Sequence, residues 1–285
     1  MMQLKKRYFA LILLLFLWSG CDRGVDPQPD PLQPDVYLLV NARAAHTNGE
    51  ESINMDAEDF EDRVHSLAML VFDSNTGEKV AEHFSSSIGS GTSTYVFTVK
   101  LKPGQRDFFF VANFPGMQTA MASIVNKFDM NHFMQVFRDL DPIHYLKATN
   151  DNGFPMSRMY SNQTVTIGGT ITQPLPFKPN GENNVKLQRV VAKLDVNIVE
   201  GVENLQKIEL CNANAHYVFG PNQAEPFQFY GPVELRRVGT TNQWLGYMPE
   251  AIVESTKWWG NTGNAENKPI NFFRLTTRGG LVYDV

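Results

Sequence analysis

Short runs in which apolar and polar residues alternate, separated by turn-forming residues, recur along most of this chain of 285 residues. In the clearest of them, residues 190–198, every second residue is apolar. A period of two places those residues on one face of a β-strand. Val185 and Leu187 are out of phase with this set, so we predict a bulge or a change of sheet near Gln188.

Only one segment departs clearly from the β pattern. Between Met117 and Leu140 the apolar residues recur at helical spacing, and Asp129 or Asn131 is a candidate N-cap for a second helix there. Residues 174–184 are rich in Pro, Gly and Asn, which indicates a link between units. We therefore predict an all-β dominated fold of two β-sandwich domains, with a helical insertion in the first. The predicted domains are residues 44–184 and 185–285.

The start of the chain has the pattern of an export signal. Basic residues 5–7 precede an apolar run, residues 8–18, which is shorter than the roughly 20 residues that span a bilayer. Small residues precede Cys21, as in a bacterial lipobox, where a peptidase cuts ahead of a lipidated cysteine. We predict a lipoprotein signal peptide over residues 1–20 and lipidation at Cys21. The alternative is an ordinary secretory signal with an incidental cysteine.

Residues 21–43 form a proline-rich tether that ends in a short strand. Proline fixes φ and removes a backbone donor, so this stretch is extended rather than packed. The bond Arg43–Ala44 follows the strand and is a candidate cleavage site. The strand consists of Val36, Tyr37, Leu38, Leu39 and Val40.

Composition and motifs exclude several functions. The net charge is −5 and no basic tract follows the signal, so nucleic acid is not an expected partner. With Cys21 lipidated, Cys211 has no partner for an internal disulfide. The sequence contains no nucleophile elbow, zinc-protease motif, P-loop or C-x-x-C pair. We therefore predict no catalysis, no cofactor and no metal site.

Three weaker features leave alternatives open. Cys211 and His216 have the residue types of a nucleophile pair. Their spacing of five residues is weak support, because the partners in such pairs are usually distant in sequence. The acidic residues 50–62 lack calcium-loop spacing and are predicted to form a solvated loop or helical turn. Trp258 and Trp259 form either an exposed platform for a glycan or protein partner, or buried anchors under a loop.

The order of these parts resembles a known family. The lipobox, the proline-rich tether, the strand before Arg43, the strand-like run 64–72 and above all the motif RVVAKLDV at 189–196 resemble the fimbrillins of type V pili. The likeness covers most of the chain and is greatest to subunits at the fimbrial tip. It implies two transthyretin-like β-sandwich domains and export as a lipoprotein to the outer membrane surface.

The resemblance also implies a route of assembly. An Arg-specific protease of the gingipain type would cut at Arg43–Ala44, so that residues 21–43 act as a propeptide. Loss of Val36 to Val40 would open a groove that a strand of a neighbouring subunit fills. The expected partners are shaft and accessory tip subunits, the protease, and host or bacterial surface targets. Before maturation, the lipid anchor would also hold the chain to the outer membrane.

The resemblance has one departure and two rivals. Fimbrillins are usually longer and often donate a C-terminal strand, whereas this sequence stops at Val285, so its second domain is expected to be incomplete. The main alternative function is a surface glycan-binding lipoprotein of β-sandwich type. The other is a secreted hydrolase on a β scaffold, which would need paired carboxylates.

Overall fold

β-Strands dominate the structure, a computed structural model that describes residues 34–45, 60–88, 94–221, 228–250 and 271–285. The predicted all-β class with a helical insertion in the first half is confirmed. The helices are α1 Met117–Ser123 and α2 Lys127–Gln135. Short 3₁₀ turns occupy Pro142–Tyr145, Pro179–Gly181 and Val202–Asn204. The strands are β1 Val36–Ala45, β2 Leu67–Asp73, β3 Lys79–Ser85, β4 Thr94–Leu101, β5 Gly104–Ala112, β6 Arg138–Asp139, β7 Met156–Val165, β8 Leu175–Pro176, β9 Val185–Arg189, β10 Val191–Asn197, β11 Leu205–Cys211, β12 Ala213–Asn214, β13 His216–Tyr217, β14 Phe229–Tyr230, β15 Val233–Glu234, β16 Arg236–Arg237, β17 Gln243–Pro249, β18 Phe272–Thr277 and β19 Val282–Asp284.

The first half of the described chain is built on one eight-stranded sheet. Its strands follow the order β3-β2-β5-β7-β9-β1-β4, and β8 pairs with β1 beside this path. The sheet curls so that its two end strands meet. The rings of His83 on β3 and Phe97 on β4 stack there with centroids 4.0 Å apart. All its strands contribute apolar side chains to the enclosed interior. We call this interior the inner core.

A second apolar cluster lies on the outer face of β2 and β5. Ala68, Leu70 and Phe72 of β2 and Phe109 and Val111 of β5 face it. It also includes the buried methionines of α1 and α2 and side chains from the second half of the chain. We call it the outer core. Because β2 and β5 face an apolar cluster on both sides, they have almost no exposed residues, as their near-continuous apolar sequences require.

The second half consists of smaller sheets. Their orders are β10-β17-β16, β15-β11-β18-β19 and β12-β14, while β13 pairs with β6 of the first half. The change of sheet predicted near Gln188 occurs at Val190, between β9 and β10. The predicted domain boundary at Val185 therefore falls inside the large sheet, because β9 pairs there with β1 and β7. The out-of-phase residues Val185 and Leu187 face the inner core.

The helical insertion is shorter than its apolar pattern suggests. A break at Ile124 to Asn126 separates the helices, and Asn126, not Asp129 or Asn131, is the N-cap of α2. Asp129 instead completes a capping box by accepting from the backbone N–H of Asn126. The break resets the helical phase, so Phe128 is 80% exposed rather than packed. Within the described ranges, neither helix has the length and apolarity needed to cross a bilayer.

Candidate functional site

β1 is an inner strand of the large sheet, held along both edges. On one edge it pairs antiparallel with β4, from Val36 opposite Leu101 to Arg43 opposite Thr94. On the other edge it pairs parallel, first with β8 and then with β9. A strand bonded on both edges cannot leave without opening a slot in the sheet. We call the space that β1 occupies between β4 and β8/β9 the β1 groove.

The side chains of β1 alternate between the inner core and the surface. Val36, Val40 and Ala42 are fully buried and Leu38 is 5% exposed. On the opposite face, Leu39 is 38% exposed and Tyr37 is half-buried. The predicted removable residues, Val36, Tyr37, Leu38, Leu39 and Val40, are thus all in β1. β1 contributes no residue to the outer core.

The strand is longer than predicted. It was expected to end before Arg43, but it continues to Ala45. The bond Arg43–Ala44 therefore lies inside the ladder, where Arg43 pairs with Lys186 and Ala44 with Leu187 of β9. The alternation continues past Arg43, because Ala42 is fully buried and Ala44 packs against the inner core. The candidate cleavage site is consequently part of the sheet.

The loop between β7 and β8 lies close to the backbone of β1. At Gly169, φ is +74°, and a Cβ there would lie 2.6 Å from the carbonyl oxygen of Tyr37. Only glycine permits this approach together with a left-handed backbone. Gly169 thus lies against the backbone of β1 at Tyr37. Further along, the Phe177 N–H donates to the Leu39 carbonyl at 2.9 Å.

One wall of the β1 groove, β4, is held mainly by β1 itself. Among the described residues, β4 forms sheet hydrogen bonds with β1 alone. It also packs Phe97, Val99 and Leu101 into the inner core. Toward β3, Phe97 stacks on His83 and Tyr95 lies beside the same imidazole. Burial lowers the pKa of His83, so the imidazole in this stack is neutral at pH 7.

The other wall, β9, is fastened by a buried carboxylate. Glu61 is 1% exposed and lies 3.2 Å from Arg189 Nη1 at the end of β9. It also lies 3.0 Å from Lys193 Nζ on β10 and accepts a hydrogen bond from the Tyr247 hydroxyl on β17. The prediction of a solvated acidic segment is wrong for Glu61, because these cations draw it into the interior. Arg189 and Lys193 of the family-like motif are therefore held by this carboxylate.

A charged contact closes the start of the groove. Asp35, just before β1, lies 2.7 Å from Lys100 Nζ and 3.0 Å from Lys102 Nζ. The hydrogen bonds from Lys100 and then Lys102 lower the pKa of Asp35, and Asp35 raises the pKa of Lys100. Sequence reasoning missed this contact. Lys100 lies on the exposed face of β4, and nothing local in the sequence marks Asp35 as its partner.

The other predicted sites are not brought together as functional centres. Burial raises the pKa of the Cys211 thiol, and His216 Nε2 lies 2.9 Å from Asp139 Oδ1, so neither group has the environment of a nucleophile pair. No group of potential metal ligands occurs within the ranges that the structure describes. Cys21, Trp258, Trp259 and most of the acidic stretch lie outside the described residues.

Comparisons with known proteins agree with this architecture. Residues 31–285 match the family model for fimbrillin-A associated anchor proteins Mfa1 and Mfa2. The whole chain is 95% identical to the minor fimbrium tip subunit Mfa3 of Porphyromonas gingivalis strain ATCC 33277, and it spans 64% of that protein's length.

Solved structures extend the comparison to the fold. The crystallised tip fimbrial protein Mfa3 with C-terminal truncation, from Porphyromonas gingivalis, superposes with a TM-score of 0.79 at 89% identity. The match covers 88% of this chain and 81% of that one. A protein from Parabacteroides distasonis shares the fold, with a TM-score of 0.54 at 13% identity over 87% of this chain and 78% of its own. On this match over residues 31–285, the chain belongs to the protein family described as fimbrillin-A associated anchor proteins Mfa1 and Mfa2.

Proposed function

We propose that this chain is a structural and adhesive subunit at the tip of a fimbria, with no catalytic role. It is exported as a lipoprotein through Cys21, cut after Arg43, and joined to its neighbours by strand exchange in the β1 groove. One observation supports this most directly. The strand nearest the N-terminal tether is also an inner strand of the sheet, with four apolar side chains in the inner core.

The burial of β1 explains why its loss would drive assembly. Each of Val36, Leu38 and Val40 contributes about 1.5–3 kcal/mol by leaving water. Together they represent a large part of the roughly 5–15 kcal/mol that stabilises a typical domain. A subunit that has lost β1 therefore exposes an apolar slot and unpaired backbone groups on β4 and β9. A strand from a neighbouring subunit restores both the hydrogen bonds and the burial.

The position of Arg43 adds a control on when cleavage occurs. A protease needs an extended substrate with free edges, but both edges of β1 are hydrogen-bonded at this residue. Cleavage therefore requires Arg43 to detach first from both β4 and β9. This detachment is local, because the buried anchors Val36 and Leu38 lie at the other end of the strand. The cut would come before the strand leaves.

The lipid anchor, the tip position and the partners rest on the family. The relative Mfa3 is named as a tip subunit, and the family description names anchor proteins. By likeness to them, we propose shaft and accessory subunits as partners, a fimbrial surface location, and an outer-membrane precursor held by lipid at Cys21. Adhesion targets on host or bacterial surfaces belong to the same proposal.

Cleavage is tested on the intact chain with an Arg-specific protease. N-terminal sequencing of the product should give Ala44 as the first residue, and Arg43→Lys should abolish that product. Arg278→Lys, at an exposed arginine in the second half, is the matched control and should be cut after Arg43 like the unchanged chain. A product that begins elsewhere in both variants would reject Arg43 as the maturation site.

A further inference from the structure

The two lysines at the start of the β1 groove form a built contact for a carboxylate. Lys102 follows β4 opposite Asp35, and Lys100 opposes Tyr37. Both ammonium groups point at the two oxygens of one carboxylate, at 2.7 and 3.0 Å. The rest of the outer face of β4 is uncharged, with Thr94, Val96 and Thr98. Positive charge on this face is therefore confined to one end.

Removal of β1 would take the Asp35 carboxylate away from these two lysines. Asp35 precedes the cleavage site, so it departs with the strand. Two ammonium groups then remain side by side at the open mouth of an apolar slot. The two ammonium groups repel each other, and an incoming carboxylate relieves that repulsion. The β4 wall of the vacant slot is thus electrostatically asymmetric along its length.

We propose that Lys100 and Lys102 recognise a carboxylate at the start of the strand that replaces β1. The proposal rests on the strand exchange proposed above and specifies its occupant. That occupant is an extended segment of another subunit, running in the direction of β1. An Asp or Glu immediately precedes its first inward apolar residue, and a small residue fills the place of Ala42. The pattern of β1 itself, which already fits the slot, is the basis for this specification.

The carboxylate sets the direction of the strand, which apolar alternation leaves open. A slip of one residue turns every side chain to the wrong face, so the inner core rejects it. A slip of two residues keeps the faces correct and moves the carboxylate about 6–7 Å along β4, where in one direction it still lies opposite Lys100. The lysines therefore distinguish the two directions of insertion rather than this slip. A strand inserted in the opposite direction would place its leading carboxylate beside Thr94, at the far end of β4.

The contact should act mainly on the rate and direction of insertion. Lys100 and Lys102 are 57% and 47% exposed, so solvent and salt screen them. Exposed complementary charges accelerate association more than they increase final affinity. We therefore expect a salt-dependent change in association rate, while the apolar residues determine how long the strand stays.

The test uses the full chain cut after Arg43 and separated from its N-terminal segment, together with labelled synthetic peptides with the sequence of residues 34–45. One peptide keeps Asp35 and two contain Asp35→Asn or Asp35→Lys. A fourth moves the acid to the other half of the strand, with Asp35→Asn and Asn41→Asp, so that it lies opposite Val96. At low salt, we expect insertion of the Asp35 peptide to be about three- to tenfold faster than that of the other three. In 0.5 M NaCl the four rates should converge.

Charge reversal provides the decisive control. The chain with Lys100→Glu and Lys102→Glu should prefer the Asp35→Lys peptide, and Lys147→Gln, at an exposed lysine outside the large sheet, should leave all rates unchanged. Equal rates for all peptides on all chains would overturn the carboxylate proposal while leaving strand exchange intact. Failure of every peptide to insert would overturn strand exchange and this proposal with it.

Discussion

β1 and β5 are both apolar inner strands of the same sheet, yet they are held in different ways. β5 faces the inner core with Phe108 and Phe110 and the outer core with Phe109 and Val111. β1 faces the inner core alone, and Leu39 on its other side is 38% exposed. A strand with one buried face can be exchanged without dismantling a second core. Pairing on both edges therefore does not by itself make a strand permanent; burial on both faces does.

The largest expected effect comes from β5. Phe109 is fully buried and meets Phe72 edge to face, with centroids 5.5 Å apart. Phe109→Ala leaves a cavity between β5 and the helices, and should lower the unfolding free energy by about 3–5 kcal/mol in urea titration. Phe128→Ala removes the same side chain at an 80% exposed site and is expected to change it by less than about 0.5 kcal/mol. Similar losses in both variants would mean that the outer core does not hold β5.

A smaller effect is expected from the carboxylate that fastens β9. Glu61→Gln keeps the shape but removes the charge facing Arg189 and Lys193, so the unfolding free energy should fall by about 3 kcal/mol. Asp62→Asn is the neighbouring control, because Asp62 is one-third exposed and lies 3.4 Å from Arg189 Nη1. It should cost less than about 1 kcal/mol. If Glu61→Gln lowered the unfolding free energy equally little, the Glu61 carboxylate would not be what holds β9 in place.

The same contrast explains which parts of the molecule were predictable. Period-two alternation placed the strands, because each side chain's face follows from local backbone geometry. The out-of-phase residues Val185 and Leu187 likewise predicted the change of sheet. The extent of β1 was misjudged because Arg43 suggested a boundary, whereas pairing with β9, far along the sequence, continues the strand to Ala45.

Long-range charge contacts could not be predicted from the sequence. Glu61 looked like one of many solvated acids, and only the folded sheet brings Arg189, Lys193 and Tyr247 to it. The ion pairs of Asp35 likewise depend on the pairing of β1 with β4, which the sequence alone does not reveal. The prediction for the helical insertion failed for a different reason. The break before Asn126 depends on a capping box that competes with the apolar period.

For β1 itself, the comparison predicts a difference between its two faces. Leu38→Ala should lower the unfolding free energy of the intact chain by about 2–3 kcal/mol, because Leu38 is buried in the inner core. Leu39→Ala, on the exposed face, should cost less than about 0.5 kcal/mol. In the cut chain, Leu38→Ala should also speed release of the N-terminal segment, measured by native mass spectrometry. If both variants released it at one rate, inward burial would not hold β1.

The smallest expected effect is a change in how stability depends on pH, and it concerns His83, which stacks against β4. Burial lowers the pKa of His83, and it likewise lowers the pKa values of His65 and His144. Above about pH 6.5 these imidazoles are neutral in the folded and unfolded chain alike. As the pH falls below that value, the unfolded chain takes up protons first, so stability declines until the folded pKa values are reached. His83→Phe keeps a ring on Phe97 but removes one of these groups, and should lose less stability between pH 7.5 and pH 5.5 than the unchanged chain. The difference should widen once the N-terminal segment has been cut at Arg43 and released, because β4 then lacks its hydrogen-bonded neighbour. Urea titrations of the intact and cut chains at both pH values measure it, and identical pH slopes for the two proteins would show that the stack does not retain β4.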